Sequence, residues 1–175
     1  EFGWVYTGPY TYSGNEYEVA FETNSALVQA NVSGTTSAVN AGTYTANVAL
    51  SYDEVNYKLV GAYEAQLVWV INKVQIDASE FGWDYTNAFT YNGTQHVVNY
   101  LTPDAEDVVT VVYDSANKAI NAGTYTTVAA LEYDEANYEL VNLPNNAKLV
   151  WVVNKVLVAT DEFECRYYLF WHYKC

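Results

Sequence analysis

Leu67-Val68-Trp69-Val70-Ile71-Asn72-Lys73 recurs as Leu149-Val150-Trp151-Val152-Val153-Asn154-Lys155, an offset of 149 − 67 = 82 residues. Each run is β-branched and aromatic and ends on Asn-Lys, the composition of a strand that stops at a polar boundary. Finding it twice marks a duplicated unit. Working outward, Asn40-Ala41-Gly42-Thr43-Tyr44-Thr45 returns at residues 121–126, an offset of 121 − 40 = 81. Tyr52-Asp53-Glu54 and Asn56-Tyr57 return as Tyr133-Asp134-Glu135 and Asn137-Tyr138 at the same offset, 133 − 52 = 81. Glu1-Phe2-Gly3-Trp4 returns as Glu80-Phe81-Gly82-Trp83, where 80 − 1 = 79. The drift from 79 to 82 is what small insertions in surface loops produce. The chain therefore divides at residues 1–77 and 78–159, with a remainder at 160–175 that matches neither copy.

Within each copy the pattern is that of strands. Thr43-Tyr44-Thr45-Ala46-Asn47-Val48-Ala49-Leu50 alternates with the period of two that a half-buried strand requires. Val108-Val109-Thr110-Val111-Val112-Tyr113 is a further β-branched run. Tyr12-Ser13-Gly14-Asn15 and Tyr91-Asn92-Gly93-Thr94 predict hairpin turns, since Gly and Asn take positive φ at little cost. Ala41-Gly42 and Ala122-Gly123 mark turns directly before strands. No helical period is sustained. Short strands with frequent turn signals predict two all-β antiparallel sandwiches, and a 51% hydrophobic composition is enough to fill their cores.

Charge narrows the class of partner. Seven Lys and Arg stand against 21 Asp and Glu, for a net charge of −14. The acids occur in both copies, so the negative field is a general surface property that repels phosphate backbones and argues against nucleic acid. No apolar run reaches the ~18–20 residues of a membrane span. With no Met and no signal peptide in its 175 residues, the chain reads as a processed or excised segment of something longer.

Tyr12-Ser13-Gly14, residues 40–45, Asn56-Tyr57 and residues 69–73, with their second set at residues 91–93, 121–126, 137–138 and 151–155, resemble the bacterial immunoglobulin-like repeats of Firmicutes-type surface proteins and adhesins. The resemblance covers residues 1–159. It implies two tandem immunoglobulin-like β-sandwich domains followed by a short aromatic, Cys-containing C-terminal tail. It also implies an extracellular place at a bacterial cell surface or in secreted form. The expected role is a structural stalk or spacer supporting adhesion, with no catalytic residues to carry over.

The chemistry-bearing residues fit that expectation. His96 and His172 are the two histidines, neither beside a second ligand at metal spacing and neither matched by a nucleophile elbow. A surface or partly packed role is the plain reading of His96, and an enzyme is not expected. The openings of the copies, residues 1–12 and 80–91, hold no lysine, so a Lys–Asn cross-link between first and last strands is not expected; Lys73 and Lys155 read as solvated caps. Asp77 and Glu80 at one repeat exit, and Asp161 and Glu162 at the other, are carboxylates that can hold calcium, the one cofactor the sequence suggests. Trp69 and Trp151 read as core residues because they recur in both copies.

The remainder, residues 160–175, breaks the pattern and reads either as the start of a further domain or as a binding loop. Six of its 16 residues are Phe, Tyr or Trp, and five of these lie between Cys165 and Cys175. An oxidising setting lets these cysteines bond each other, although closure demands a bend, or bond another chain. Tyr167, Tyr168, Phe170, Trp171 and Tyr173 are candidate contacts to a protein or glycan. A binding module presenting this segment is thus one alternative to a stalk. The other is a filament subunit joined to neighbouring subunits of the same fibre by strand exchange, with residues 156–159 adding to a first repeat that lacks the counterpart of Val74-Gln75-Ile76 ahead of it.

Overall fold

A computed structural model of the chain describes residues 2–159, which are all β, with no helix among them. The first copy supplies β1 (Phe2–Val5), β2 (Tyr10–Thr11), β3 (Tyr17–Glu18) and β4 (Ala20–Thr23). It continues with β5 (Val28–Gly34), β6 (Ser37–Ala38), β7 (Gly42–Tyr52) and β8 (Gln66–Asn72). After Lys73 comes β9 (Val74–Asp77). The second copy opens with β10 (Gly82–Trp83), β11 (Phe89–Thr90), β12 (His96–Val97) and β13 (Tyr100–Leu101). It goes on through β14 (Thr110–Tyr113), β15 (Lys118–Ala119), β16 (Gly123–Glu132), β17 (Tyr138–Val141) and β18 (Lys148–Asn154).

The copies build the same sheets. A four-stranded sheet in the order β2-β8-β7-β5 has its counterpart in β11-β18-β16-β14. The short pairs β1–β4 and β3–β6 correspond to β10–β13 and β12–β15. By their contacts the residues form two compact units. The first runs from the N-terminal end to Glu80 and takes in Asp104–Thr110 and Glu132–Leu143. The second contains Phe81–Pro103, Val111–Leu131 and the described residues from Pro144 onward.

The period of two in β7 does what the sequence requires of it. Ala46 and Val48 are buried while Thr43, Thr45 and Ala49 face out. Beside β7 in the same sheet runs β8, where Tyr44 lies opposite Trp69 in antiparallel register. Trp69, fully buried, joins Ile71, Ala46 and Val19 in the first core, with Trp4, Tyr6, Tyr10 and Tyr17 packed around them. The second core repeats the plan with Trp151, Val153 and Val98, surrounded by Trp83, Tyr85, Phe89 and Tyr125. Fully burying side chains of this size contributes roughly 1.5–3 kcal/mol each.

Aromatic residues this numerous need partners for their polar tips, and the fold supplies the same partner in both units. The Trp4 indole donates to the Glu64 carbonyl and that of Trp83 to the Asn146 carbonyl, each at 2.9 Å. The Tyr6 hydroxyl accepts from Val70 N at 3.1 Å, and the Tyr85 hydroxyl from Val152 N at 3.0 Å. Tyr44 and Tyr125 donate to the carbonyls of Asn40 and Asn121, both at 2.7 Å. Trp4, Tyr6 and their counterparts thus fasten distant parts of each unit, while Tyr44 and Tyr125 fasten the turn ahead of their own strand.

Two expectations need correction. The sheets are mixed: β2 runs parallel to β8, β11 parallel to β18, and β9 parallel to β17. Side-chain periodicity reports which face of a strand is buried and carries no information on direction. The turns at residues 12–15 and 91–94 do use positive φ, at Gly14 (75°) and Gly93 (80°). They are not hairpins, because β2 pairs with β8 while β3 pairs with β6. The Gly turn carries the chain from one layer to the other.

A marked difference between the cores lies at the central indole. Trp69 Nε1 donates directly to the Thr35 carbonyl at 2.8 Å. In the second unit Thr127 stands where the first has Ala46, and its buried hydroxyl takes the Trp151 indole N–H at 3.0 Å. The same hydroxyl donates onward to the Ala116 carbonyl at 3.1 Å. Thr127→Val keeps the shape but strands the indole N–H, which should cost about 1–3 kcal/mol. Thr127→Ala recreates the first unit's arrangement and should cost less. Urea midpoints of the two variants check this; equal losses would refute the relay.

Candidate functional site

The most fully built polar site surrounds Asn137 in the first unit. Asp134 starts a turn in which its Oδ1 accepts from Ala136 N at 3.0 Å and its carbonyl accepts from Tyr138 N at 2.9 Å. A short carboxylate that captures the backbone two residues on is the usual way to fix such a bend. The turn presents Asn137, only 4% exposed. Asn137 Nδ2 donates to Asp134 Oδ2 at 2.7 Å and Asn40 Oδ1 at 3.1 Å, while its Oδ1 accepts from Ala41 N at 2.7 Å. A buried amide is tolerated on such terms because its groups find partners.

This turn receives a strand. Val74 N donates to the Asn137 carbonyl and Ala78 N to the Val141 carbonyl, each at 2.9 Å. Between them β9 lies parallel to β17, with Val74 opposite Tyr138 and Ile76 opposite Leu140. Val74 and Ile76 are half-buried; Gln75 and Asp77 face out. Around the strand, Lys73 Nζ donates to the Glu135 carbonyl, and the Tyr12 and Tyr138 rings meet edge to face at 5.5 Å. Lys73 is exposed, as a solvated cap is, and it also clamps a turn carbonyl, which a cation satisfies better than water alone does. Main-chain pairing with alternate side chains set inward is the chemistry of strand addition.

The first copy carries the same turn without the strand. Asp53 Oδ1 accepts from Val55 N at 3.1 Å, Asp53 Oδ2 from Asn56 Nδ2 at 2.6 Å, and the Asp53 carbonyl from Tyr57 N at 2.9 Å. Beyond it residues 57–60 form no strand. They line a cleft of about 280 Å³ together with Phe2, Leu27, Val28 and Tyr52.

The residues singled out in the sequence fall as follows. Asp77 Oδ1 accepts from Ser79 N at 3.0 Å and Asn142 Nδ2 at 3.2 Å, so it holds the exit of β9. Glu80 is exposed. Among the described residues no three His, Cys, Asp or Glu side chains gather as a metal group. Asp161, Glu162, Cys165, Cys175 and the aromatic positions Tyr167, Tyr168, Phe170, Trp171 and Tyr173 lie outside the described residues. His96 stacks on Phe89 at 4.7 Å, as Tyr17 stacks on Tyr10 at 4.5 Å in the first unit. Its Nε2 has no hydrogen-bond partner among the described residues. No helix among them is long and apolar enough to cross a membrane. Asn40, Asn137, Tyr12 and Tyr138 were not marked as a site, although their polar recurrence in Asn-Ala-Gly and Asn-Tyr was the available signal.

Both turn carboxyls are held below the ordinary carboxylate range, Asp53 chiefly by the side-chain amide of Asn56 and Asp77 chiefly by the backbone N–H of Ser79. A carboxyl more acidic when folded contributes stability above its unfolded pKa and loses it as pH falls through the folded one. Stability should therefore drop on acidification below the ordinary carboxylate range. Asp53→Asn and Asp77→Asn should each make that drop shallower in urea midpoints measured against pH, and an unchanged acid limb would refute the assignment.

No protein-family model, curated protein or solved structure matches the chain.

Proposed function

We propose that the chain is a pair of immunoglobulin-like modules that act as a structural spacer in an extracellular bacterial surface or fibre protein, supporting adhesion without catalysis. The observation that carries this reading is the repetition of one strand order, β2-β8-β7-β5 and β11-β18-β16-β14, each about a central Trp. A first short strand running parallel to the last, followed by the two preceding long strands, is an order found in such sandwiches. Both cores close with side-chain packing and hydrogen bonds, and residues 1–164 contain no cysteine. Only Lys73 separates β8 from β9. A spacer gains reach by adding such units, and their stability is then close to a sum over units and junctions.

Pulling the chain from its ends tests this. Two successive unfolding events are expected, each releasing roughly 250–290 Å, from about 80 residues at ~3.3–3.6 Å apiece. Removing residues 162–175 should leave both events unchanged. A single event of twice that length, or loss of either event on the truncation, would sink the spacer reading.

A further inference from the structure

The bends that carry the chain from β2 to β3 and from β11 to β12 share a backbone and differ in one side chain. Tyr12-Ser13-Gly14-Asn15 and Tyr91-Asn92-Gly93-Thr94 both put a glycine at positive φ, 75° at Gly14 and 80° at Gly93. The second bend holds Asn92 directly ahead of Gly93, and no other asparagine in the 175 residues is followed by glycine. Such a pair brings an amide carbon, Asn92 Cγ, within one five-membered ring of a main-chain nitrogen that no side chain shields. Both residues are exposed and lie outside any strand, and a Cβ placed on Gly93 would meet no atom within 4 Å. Asn92 Oδ1 accepts from Thr94 N at 2.9 Å and from Thr94 Oγ1 at 2.7 Å.

We propose that Asn92 is a site of spontaneous covalent modification, where the chain closes to a succinimide and reopens as aspartate or isoaspartate. Gly93 N gives its proton to solvent base, and its lone pair forms the bond to Asn92 Cγ. The carbonyl pair moves onto Oδ1, where the Thr94 N–H and hydroxyl already point at the oxygen that turns negative. Donors set in advance around a developing oxyanion lower the barrier to reaching it. Collapse of that intermediate breaks the Cγ–Nδ2 bond, and Nδ2 leaves as ammonia with a proton from water. Water adding to Cγ then restores the main chain with an aspartate. Water adding to the Asn92 main-chain carbonyl carbon leaves the chain running through Cβ and Cγ, as isoaspartate. The net change is hydrolysis of one amide, with no oxidation or reduction.

Other positions show why this amide is the one exposed to attack. Asn137 is 4% exposed, its Nδ2 is held by Asp134 Oδ2 and Asn40 Oδ1, and the nitrogen that follows, Tyr138 N, is tied to the Asp134 carbonyl. Leaving group and nucleophile are both occupied there. Ser13 in the first copy has no amide to lose, so the matching bend is inert. Each conversion adds one negative charge to a chain already at −14. Isoaspartate also inserts a methylene into the main chain between β11 and β12, just ahead of the His96 ring stacked on Phe89.

Incubating the folded 175-residue chain in mildly alkaline buffer and mapping its peptides by mass tests this. Asn92 should gain the mass difference between an amide and an acid before any other asparagine, with isoaspartate among its products. Thr94→Val removes the hydroxyl donor from an exposed bend and should slow the conversion about three- to tenfold, the worth of one net hydrogen bond. Thr94→Ser keeps the hydroxyl and should restore the rate. In urea the donors are no longer held in place, and the difference between Thr94→Val and the parent chain should vanish. Asn92 left intact, with tryptophan fluorescence reporting folded cores, would overturn the site. An equal mass gain in Asn92→Asp would overturn it by placing the reaction at another asparagine. Equal rates in the folded parent chain and Thr94→Val would overturn the role given to Thr94.

Discussion

A tryptophan buried at the centre of each four-stranded sheet sets the terms for everything packed around it. Trp69 and Trp151 are fully buried, so each brings a polar N–H into a place without water. That group must be met close by, and it is met by the chain just after β5 in the first unit and by β16, the neighbouring strand, in the second. The rings around it are chosen to match. Tyr44 and Tyr125 lie tilted over the indoles at 4.8 Å, and Tyr10 and Phe89 meet them edge on at 6.5 and 6.1 Å. The change from Ala46 to Thr127 shows the constraint at work. The N–H is satisfied in both cores, once by a carbonyl and once through a hydroxyl that passes the demand on to another carbonyl.

This explains what could be read from residues alone. Alternation in β7 and the strand run in β8 are local properties of contiguous side chains, and both strands lie where their pattern puts them. Pairing direction is a property of where the chain goes afterwards. Tyr10 and Thr11 give no sign that they will lie parallel to Ile71 and Asn72, and the glycine turn that follows them reads as a hairpin until its flanking strands join different sheets. His96 was legible as a packed residue. That it replaces a tyrosine stacked on an aromatic neighbour needed the second copy for comparison.

The Asn137 site was the least legible part, for a reason particular to strands at an edge. Residues 56–60 and 137–141 share four of five residues, Asn, Tyr, Leu and Val, so intrinsic preference cannot account for one being a strand and the other not. β-Propensity largely measures fit to a neighbour. With β9 beside it, the segment around Tyr138 gains a ladder and cover for its apolar side chains. Without such a neighbour the segment around Tyr57 keeps the turn, which is stabilised locally by Asp53, and forms no ladder. The turn is encoded within four residues; the strand is encoded elsewhere.

A strand that forms only when a neighbour supplies its partner makes the stability of a copy depend on what precedes it. In an array of like units the junction is then a part of each fold, and interior units are more complete than terminal ones. The acidic surface works in the same direction. Chains of charge −14 repel at long range, so association by loose hydrophobic contact is disfavoured.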